Sequence, residues 1–256
     1  MRIHELAAYI DELLETDGTP DYPAALNGLQ LENRGDIRGI ASAVDFSTRA
    51  IEGTIEAGAN LLIVHHGMFW GGFEQITGPS YRKLKLLLEH DVAVYSSHLP
   101  LDRHATLGNN VLLAKELGLK PTATFAKYDT ILIGVSGESN VETAALVQKA
   151  KQFASAYAGE VRATPLAHNR RTKRWAICTG AGASSDTLKE AAQMNVDTLI
   201  VGEGPHHTAV QAEENNLAII YAGHYATETL GVRALADHLA EKYGIPASFV
   251  NAPTGL

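Results

Sequence analysis

Apolar positions along the chain follow two rhythms. In the opening stretch, MRIHELAAYIDELL, Ile3, Leu6, Ala7, Ile10, Leu13 and Leu14 recur at helical spacing with Glu5, Asp11 and Glu12 between them, which predicts an amphipathic surface helix. Later, short apolar runs alternate with helical patterns: LLIV (61–64), VAVY (92–95), TLIV (198–201) and AIIY (218–221). Such alternation predicts βαβ units and mainly parallel sheets.

The pattern occurs twice. NLLIVHHG (60–67) echoes DTLIVGEG (197–204), VYSSHLPLD (94–102) echoes IYAGHYATE (220–228), and LGNNVLLAKELG (107–118) echoes LGVRALADHLAEKYG (230–244), at offsets of 137, 126 and 123 residues. An order kept at slowly drifting offset is the mark of an internal repeat. Each half reads as strand, polar turn, helix, strand, His-x-x-x-acid, helix. The expected fold is α/β, two related lobes from a duplication with helices packed on mainly parallel sheets. The polar, proline-bearing stretch LKPTATFAKYD (119–129) divides them into lobes 1–125 and 126–256.

Chemistry gathers where the strands end. LLIV runs into His65 and His66, VAVYSS into His98 and Asp102, TLIV into Glu203, and AIIYAG into His224 and Glu228. Ligands of open α/β sheets bind outside the carboxyl ends of strands, so these groups share one edge. In extended backbone adjacent side chains point to opposite faces, and His65 and His66 converge only if the strand ends there; Gly67, Gly71 and Gly72 permit the turn. Imidazole and carboxylate without a nearby thiolate suit divalent zinc, manganese, iron or nickel. Pro100 places His98 and Asp102 on a turn, and Thr227 reads as an N-cap with Glu228 in the first turn of the following helix. Taken singly, these residues also read as strand caps, turn residues and a dipole-compensating acid; taken together they read as a metal site.

Two other stretches invite a reading. CTGAGASSD (178–186) has the Gly180-x-Gly182 of a dinucleotide fingerprint, but Ser185 replaces the third glycine and the first half lacks a counterpart. It reads instead as a tight strand-to-helix turn able to cradle a substrate phosphate. GEGPHHTA (202–209) adds His206 and His207 near the same edge, to bind or protonate substrate or to cap a helix.

Composition narrows the class. The 256 residues are 45% hydrophobic and 20% charged, with formal charge −8, ample for one large core or two modest ones. That charge argues against a nucleic-acid-coating surface; the basic run Arg170, Arg171, Lys173 and Arg174 reads as a solvated loop. No apolar run reaches the roughly 18 residues of a membrane span, and no signal-peptide pattern opens the chain. One cysteine, Cys178, excludes an intramolecular disulfide and a multi-cysteine metal site. A cytoplasmic location is expected.

GLQLE, GANLLIVHHGMFW, SSHLPLD followed by GNN, VGEGPHH and AGHYATETLGVRAL, in that order, resemble the GTP cyclohydrolase 1 type 2 homolog family, also called the NGG-interacting factor 3-like family. The resemblance spans essentially the whole chain. It implies a duplicated α/β fold assembled as a ring-shaped homohexamer, with two divalent metal ions per subunit facing the central cavity. Carried over by position, it implies His65, His66, Asp102, His224 and Glu228 as ligands and His98 as their neighbour. Tyr225 stands where many members have a further histidine. The implied activity is metal-dependent hydrolysis of a small molecule, with a nucleotide purine ring as the substrate suggested by the family name and His98, His206 and His207 as candidate proton carriers. The alternative is a non-enzymatic metal-binding ring, a metallochaperone or interaction scaffold.

Overall fold

The computed structural model describes residues 1–255. They form two compact units, Met1–Leu101 with Gly231–Ala252, and Asp102–Leu230 with the tail from Pro253. The chain therefore leaves the first unit inside the His98 to Asp102 segment rather than in the 119–129 stretch. It returns within its last long helix.

The first unit runs α1 (Ile3–Leu14), β1 (Gly28–Leu31), β2 (Ile40–Asp45), α2 (Thr48–Glu56), β3 (Leu61–His66), α3 (Gly78–Glu89) and β4 (Ala93–Ser96); the single turn α4 (Leu99–Asp102) follows. After the second unit it gains β11 (Ala247–Phe249), and the sheet order is β1-β4-β3-β2-β11. The second unit runs α5 (Asn109–Glu116), β5 (Ala123–Tyr128), β6 (Ile131–Glu142), α6 (Thr143–Ser155), β7 (Arg162–Ala163), β8 (Arg171–Cys178), α7 (Ser185–Gln193), β9 (Thr198–Val201), α8 (His206–Glu214), β10 (Ala218–Tyr221) and α9 (His224–Thr227). The helix α10 (Thr229–Tyr243) then leads back to the first unit, and the second sheet is ordered β5-β6-β8-β9-β10-β7.

The repeat is visible in the pairing. Each sheet holds a parallel triplet, β2-β3-β4 and β8-β9-β10, and each triplet carries an antiparallel strand on its last member, β1 on β4 and β7 on β10. The second sheet is mixed rather than mainly parallel, because β5 and β6 form a hairpin and β6 also pairs antiparallel with β8. Only two residues separate β5 from β6, and a connection that short can join only antiparallel strands.

Why these runs lack a polar alternate follows from the core. In the second sheet Ala176, Cys178, Leu199, Val201 and Ile219 pack with Leu188 and Ala191 of α7 and Ala212 of α8 on one face. Their neighbours Trp175, Ile177, Ile200 and Ile220 pack with α5 and α6 on the other. A strand covered on both faces reads as continuous hydrophobicity. In the first unit Leu62, Val64, Ala41, Ala43 and Val94 face Ala50, Ile51 and Leu87 of α2 and α3. Opposite, α1 buries Ile3, Leu6, Ala7, Ile10 and Leu14, and its Asp11 accepts the Tyr95 hydroxyl of β4 at 2.6 Å. The four side chains of LLIV are fully buried, contributing about 6 to 12 kcal/mol, which offsets the cost of carrying two imidazoles into the interior.

Of the basic run, Arg171, Lys173 and Arg174 lie in the start of β8 rather than in a loop, and Arg170 directly precedes the strand. Exposed Arg171 and Lys173 flank buried Thr172, and Asp197 accepts the backbone N–H groups of Lys173 and Arg174 through Oδ2 at 2.9 and 2.8 Å. No helix among the described residues is long and apolar enough to cross a membrane.

Candidate metal centre

In the first unit, three histidines converge. His65 and His66 close β3, where pairing to β4 ends at Val64 and Ser96. Released from the ladder on that side, the two rings lie 4.9 Å apart between centroids. His98 follows β4, its ring 4.8 Å from His65 and 5.6 Å from His66. All three are buried, at 0%, 6% and 7% exposure, and one ring nitrogen of each lies within 4.8 Å of the others. Trp70 covers them, 4.4 Å from His66 and 4.5 Å from His98.

Each ring is held the same way. His65 Nδ1 is 2.9 Å from the Ser97 carbonyl, His66 Nδ1 is 2.8 Å from Asp45 Oδ1, and His98 Nδ1 is 2.8 Å from Asp21 Oδ1. A carbonyl and two carboxylates can only accept, so Nδ1 carries a hydrogen in each ring and Nε2 is the nitrogen left to face a ligand. Fixing the tautomer through an oxygen acceptor is what metal-ligating histidines require of their surroundings. Asp21 is itself well anchored: it also accepts from the backbone N–H of Tyr22 and Leu99 and from Asn27 Nδ2. Burial raises its pKa, but the hydrogen bond and charge of His98, with the bonds from Asn27 and Leu99, outweigh this and hold it below the ordinary value.

The second unit carries its own set. His224 Nδ1 is 2.8 Å from Glu203 Oε1 and its Nε2 is 3.1 Å from Glu228 Oε2. Burial disfavours charge on this ring, yet the Glu228 carboxylate, by charge and hydrogen bond, and then Glu203 prevail and push its pKa up to about 9. Two carboxylates around one imidazole make a cation-seeking environment.

Local structure explains the spacing. His224 opens the one-turn helix α9 and Glu228 ends it, which brings residues four apart together. Thr227 therefore does not cap α10; its hydroxyl accepts the Gly180 N–H at 3.1 Å and donates to the His224 carbonyl at 3.0 Å. Gly180 adopts φ +61°, and a Cβ there would overlap Glu228 Oε1. The CTGAGASSD turn thus accommodates Glu228, and Ser184 caps α7 by accepting from Thr187 N–H at 3.1 Å.

Asp102 lies 7% exposed at the end of α4. The segment is a helical turn despite Pro100, which occupies its second position, where a missing N–H breaks no helical bond. Asp102 Oδ1 accepts from Asn109 Nδ2 at 2.8 Å, and Asn110 binds the Asp102 carbonyl, the Ile133 carbonyl and the Thr179 N–H. His206 and His207 stand exposed on the first turn of α8.

Among positions outside the expected ligand and proton-carrier set, the structure brings forward Asp45, Asp21 and Glu203 as acceptors and Asn109 as a donor. Glu203 carried a signal as the counterpart of the His65–His66 strand end; Asp45 and Asp21 lie on other segments and carried none. The donor set, imidazole nitrogens fixed by oxygen acceptors with buried carboxylates, fits a divalent cation, and these buried groups could hold a metal ion.

The chain is 37% identical to the GTP cyclohydrolase 1 type 2 homolog of Deinococcus radiodurans, over 98% of this chain and 94% of that protein. It is 38% identical to that of Pyrococcus abyssi over the full length of both. The crystal structure of TTHA1606 from Thermus thermophilus superposes over the whole of both chains with TM-score 0.85 at 33% identity. Residues 1–253 match the model of one family, and the chain therefore belongs to the Duf34/NIF3 (NGG1p interacting factor 3) family.

Proposed function

We propose that the chain is a metal-dependent hydrolase in which His65 and His66 with Asp102, His224 and Glu228 hold two divalent cations. The observation that carries the reading is the shared tethering of His65, His66, His98 and His224, each with Nδ1 on an oxygen acceptor. Rings that only fill space have no need of an Nδ1 acceptor four times over.

Divalent cations, when bound, supply Lewis acidity and a nucleophile at neutral pH. The chain's own residues bind and orient. Asp45 and Glu203 hold the rings of His66 and His224, Asn109 turns Asp102, and Trp70 screens the imidazoles from water. His98, held by Asp21, is the group set to hold or move a proton at Nε2, and His206 and His207 can exchange protons with solvent. The relatives' name suggests a nucleotide among the substrates. The ring-shaped homohexamer implied by the family resemblance belongs to the same reading; exposed Phe73, at 87%, and Ile76, at 60%, form the kind of apolar surface that self-association covers.

Elemental analysis of the purified protein beside a His65→Ala, His224→Ala double variant tests the site. About two metal equivalents per chain, falling to near zero in the variant, is expected; equal contents would sink the assignment. Light scattering reports the ring. A metal-replete protein inert toward nucleotides, phosphoesters and cyclic amides would replace the hydrolase with a metal-binding scaffold.

A further inference from the structure

In the second unit, a cavity of about 490 Å³ opens at the carboxyl ends of β9 and β10, walled by Gly202 and Gly223 and lined by Arg162, Glu203, His206 and Tyr221. Its volume lies within the range of small-ligand sites. We infer that this cavity is the substrate-recognition pocket of the proposed centre, and that it takes a small molecule presenting amide, urea or amidine N–H donors to Glu203 and an anionic group to Arg162. The inference rests on the hydrolase reading above.

Glu203 connects pocket and centre. One carboxylate oxygen accepts His224 Nδ1 at 2.8 Å, and the side chain remains about half exposed while lining the cavity. A carboxylate offers acceptors only, so its complement is an N–H or O–H edge. Gly202 packs the pocket wall against the His224 turn: a Cβ there would meet the Gly180 carbonyl at 2.5 Å and the His224 Cα at 2.8 Å, so a side chain cannot be added without displacing that turn and the His224 ring with it.

The cationic side is built on the edge of the sheet. Arg162 pairs with Tyr221 across β7 and β10, and Thr164 ties the same segment to Ile219 through two hydrogen bonds of 3.0 Å. Tyr221 Oη is held 3.1 Å from Thr208 Oγ1. The Arg162 guanidinium contacts Glu160 at 3.3 Å, but both side chains are at least four-fifths exposed; so exposed a pair is weak and yields to a better anion. The His206 ring has an N–H donor in either protonation state.

The test uses N-carbamoylglycine and its phosphonate analogue, ureidomethylphosphonate, as bifunctional probes, with acetamide, acetate and inorganic phosphate as single-function controls, read by calorimetry and ligand-observed NMR. At least one bifunctional probe should bind about tenfold more tightly than any control, and which one binds better distinguishes a carboxylate from a phosphate source. Arg162→Ala should weaken it by about tenfold or more, and Glu203→Gln should remove the advantage over the anions alone. Because Arg162 is exposed, its variant should melt with the parent. Saturable binding by neither probe up to about 20 mM, or binding unchanged in both variants, overturns the pocket. Titrating metal-free and metal-loaded protein separates the two readings: probe binding to a chain that never takes up metal would leave the pocket and remove the hydrolase, and a metal-replete chain that ignores every probe would do the reverse.

Discussion

Glu203 Oε1 accepts the Nδ1 hydrogen of His224 at 2.8 Å, as Asp45 Oδ1 does for His66 at the same distance. Each acid fixes the tautomer and the swing of a ring proposed as a ligand, so each is expected to tune affinity without contributing a ligand. Glu203→Ala and Asp45→Ala should each weaken metal binding by about 10- to 100-fold, measured by chelator competition, with little loss of fold. Unchanged affinity in both would remove the orienting role.

Gly180 is expected to tolerate no side chain. Its φ of +61° disfavours any L-residue, and a Cβ would overlap Glu228 Oε1. Gly180→Ala should cost about 2 to 4 kcal/mol by strain and overpacking, read as a lower urea midpoint, and should lower metal content by displacing Glu228. A variant as stable and metal-rich as the parent would show that the turn yields.

Much of this was legible in the chain, and what was not has a physical reason. The strand runs, the repeat and the converging histidines were readable because burial on both faces and a strand-end turn leave direct marks on residue type. Thr227 was not: a threonine before an acid and a helical run reads as an N-cap, but its hydroxyl answers to Gly180, 47 residues away. Pro100 misled because proline breaks helix interiors and not first turns. The acceptors Asp21 and Asp45 carry no local pattern, since only folding brings them to His98, 77 residues away, and to His66, 21 away. The mixed second sheet escaped because β5, with Thr124 and Lys127 exposed, falls in the polar stretch that reads as a divide between lobes.

Asp21 should make stability fall in acid. Its folded carboxyl holds a proton less tightly than the unfolded chain does, so the stability it contributes is complete above the unfolded pKa of about 4 and is lost as the pH drops through the folded value. Urea midpoints of the parent should therefore decline below about pH 4, and Asp21→Asn should flatten that part of the curve. Asp21→Ala leaves His98, Asn27 and the Tyr22 and Leu99 amides short of an acceptor and should cost about 3 kcal/mol at neutral pH. An Asp21→Asn curve as steep as the parent's would assign the acid sensitivity elsewhere.

Cys178 should be chemically silent in the folded protein. It ends β8 at 4% exposure, and burial first, then the negative charges of Asp102, Glu228 and Glu190, push its thiol far above the ordinary range. The thiolate is the reactive form, so both access and ionisation oppose attack. Under native conditions Ellman's reagent should react with less than about a tenth of the chains over the time that labels an unfolded control fully. Adding urea should raise the rate in step with the unfolded fraction. Rapid labelling of native protein, with a melting temperature unchanged by the modification, would mean that the carboxyl end of β8 opens locally.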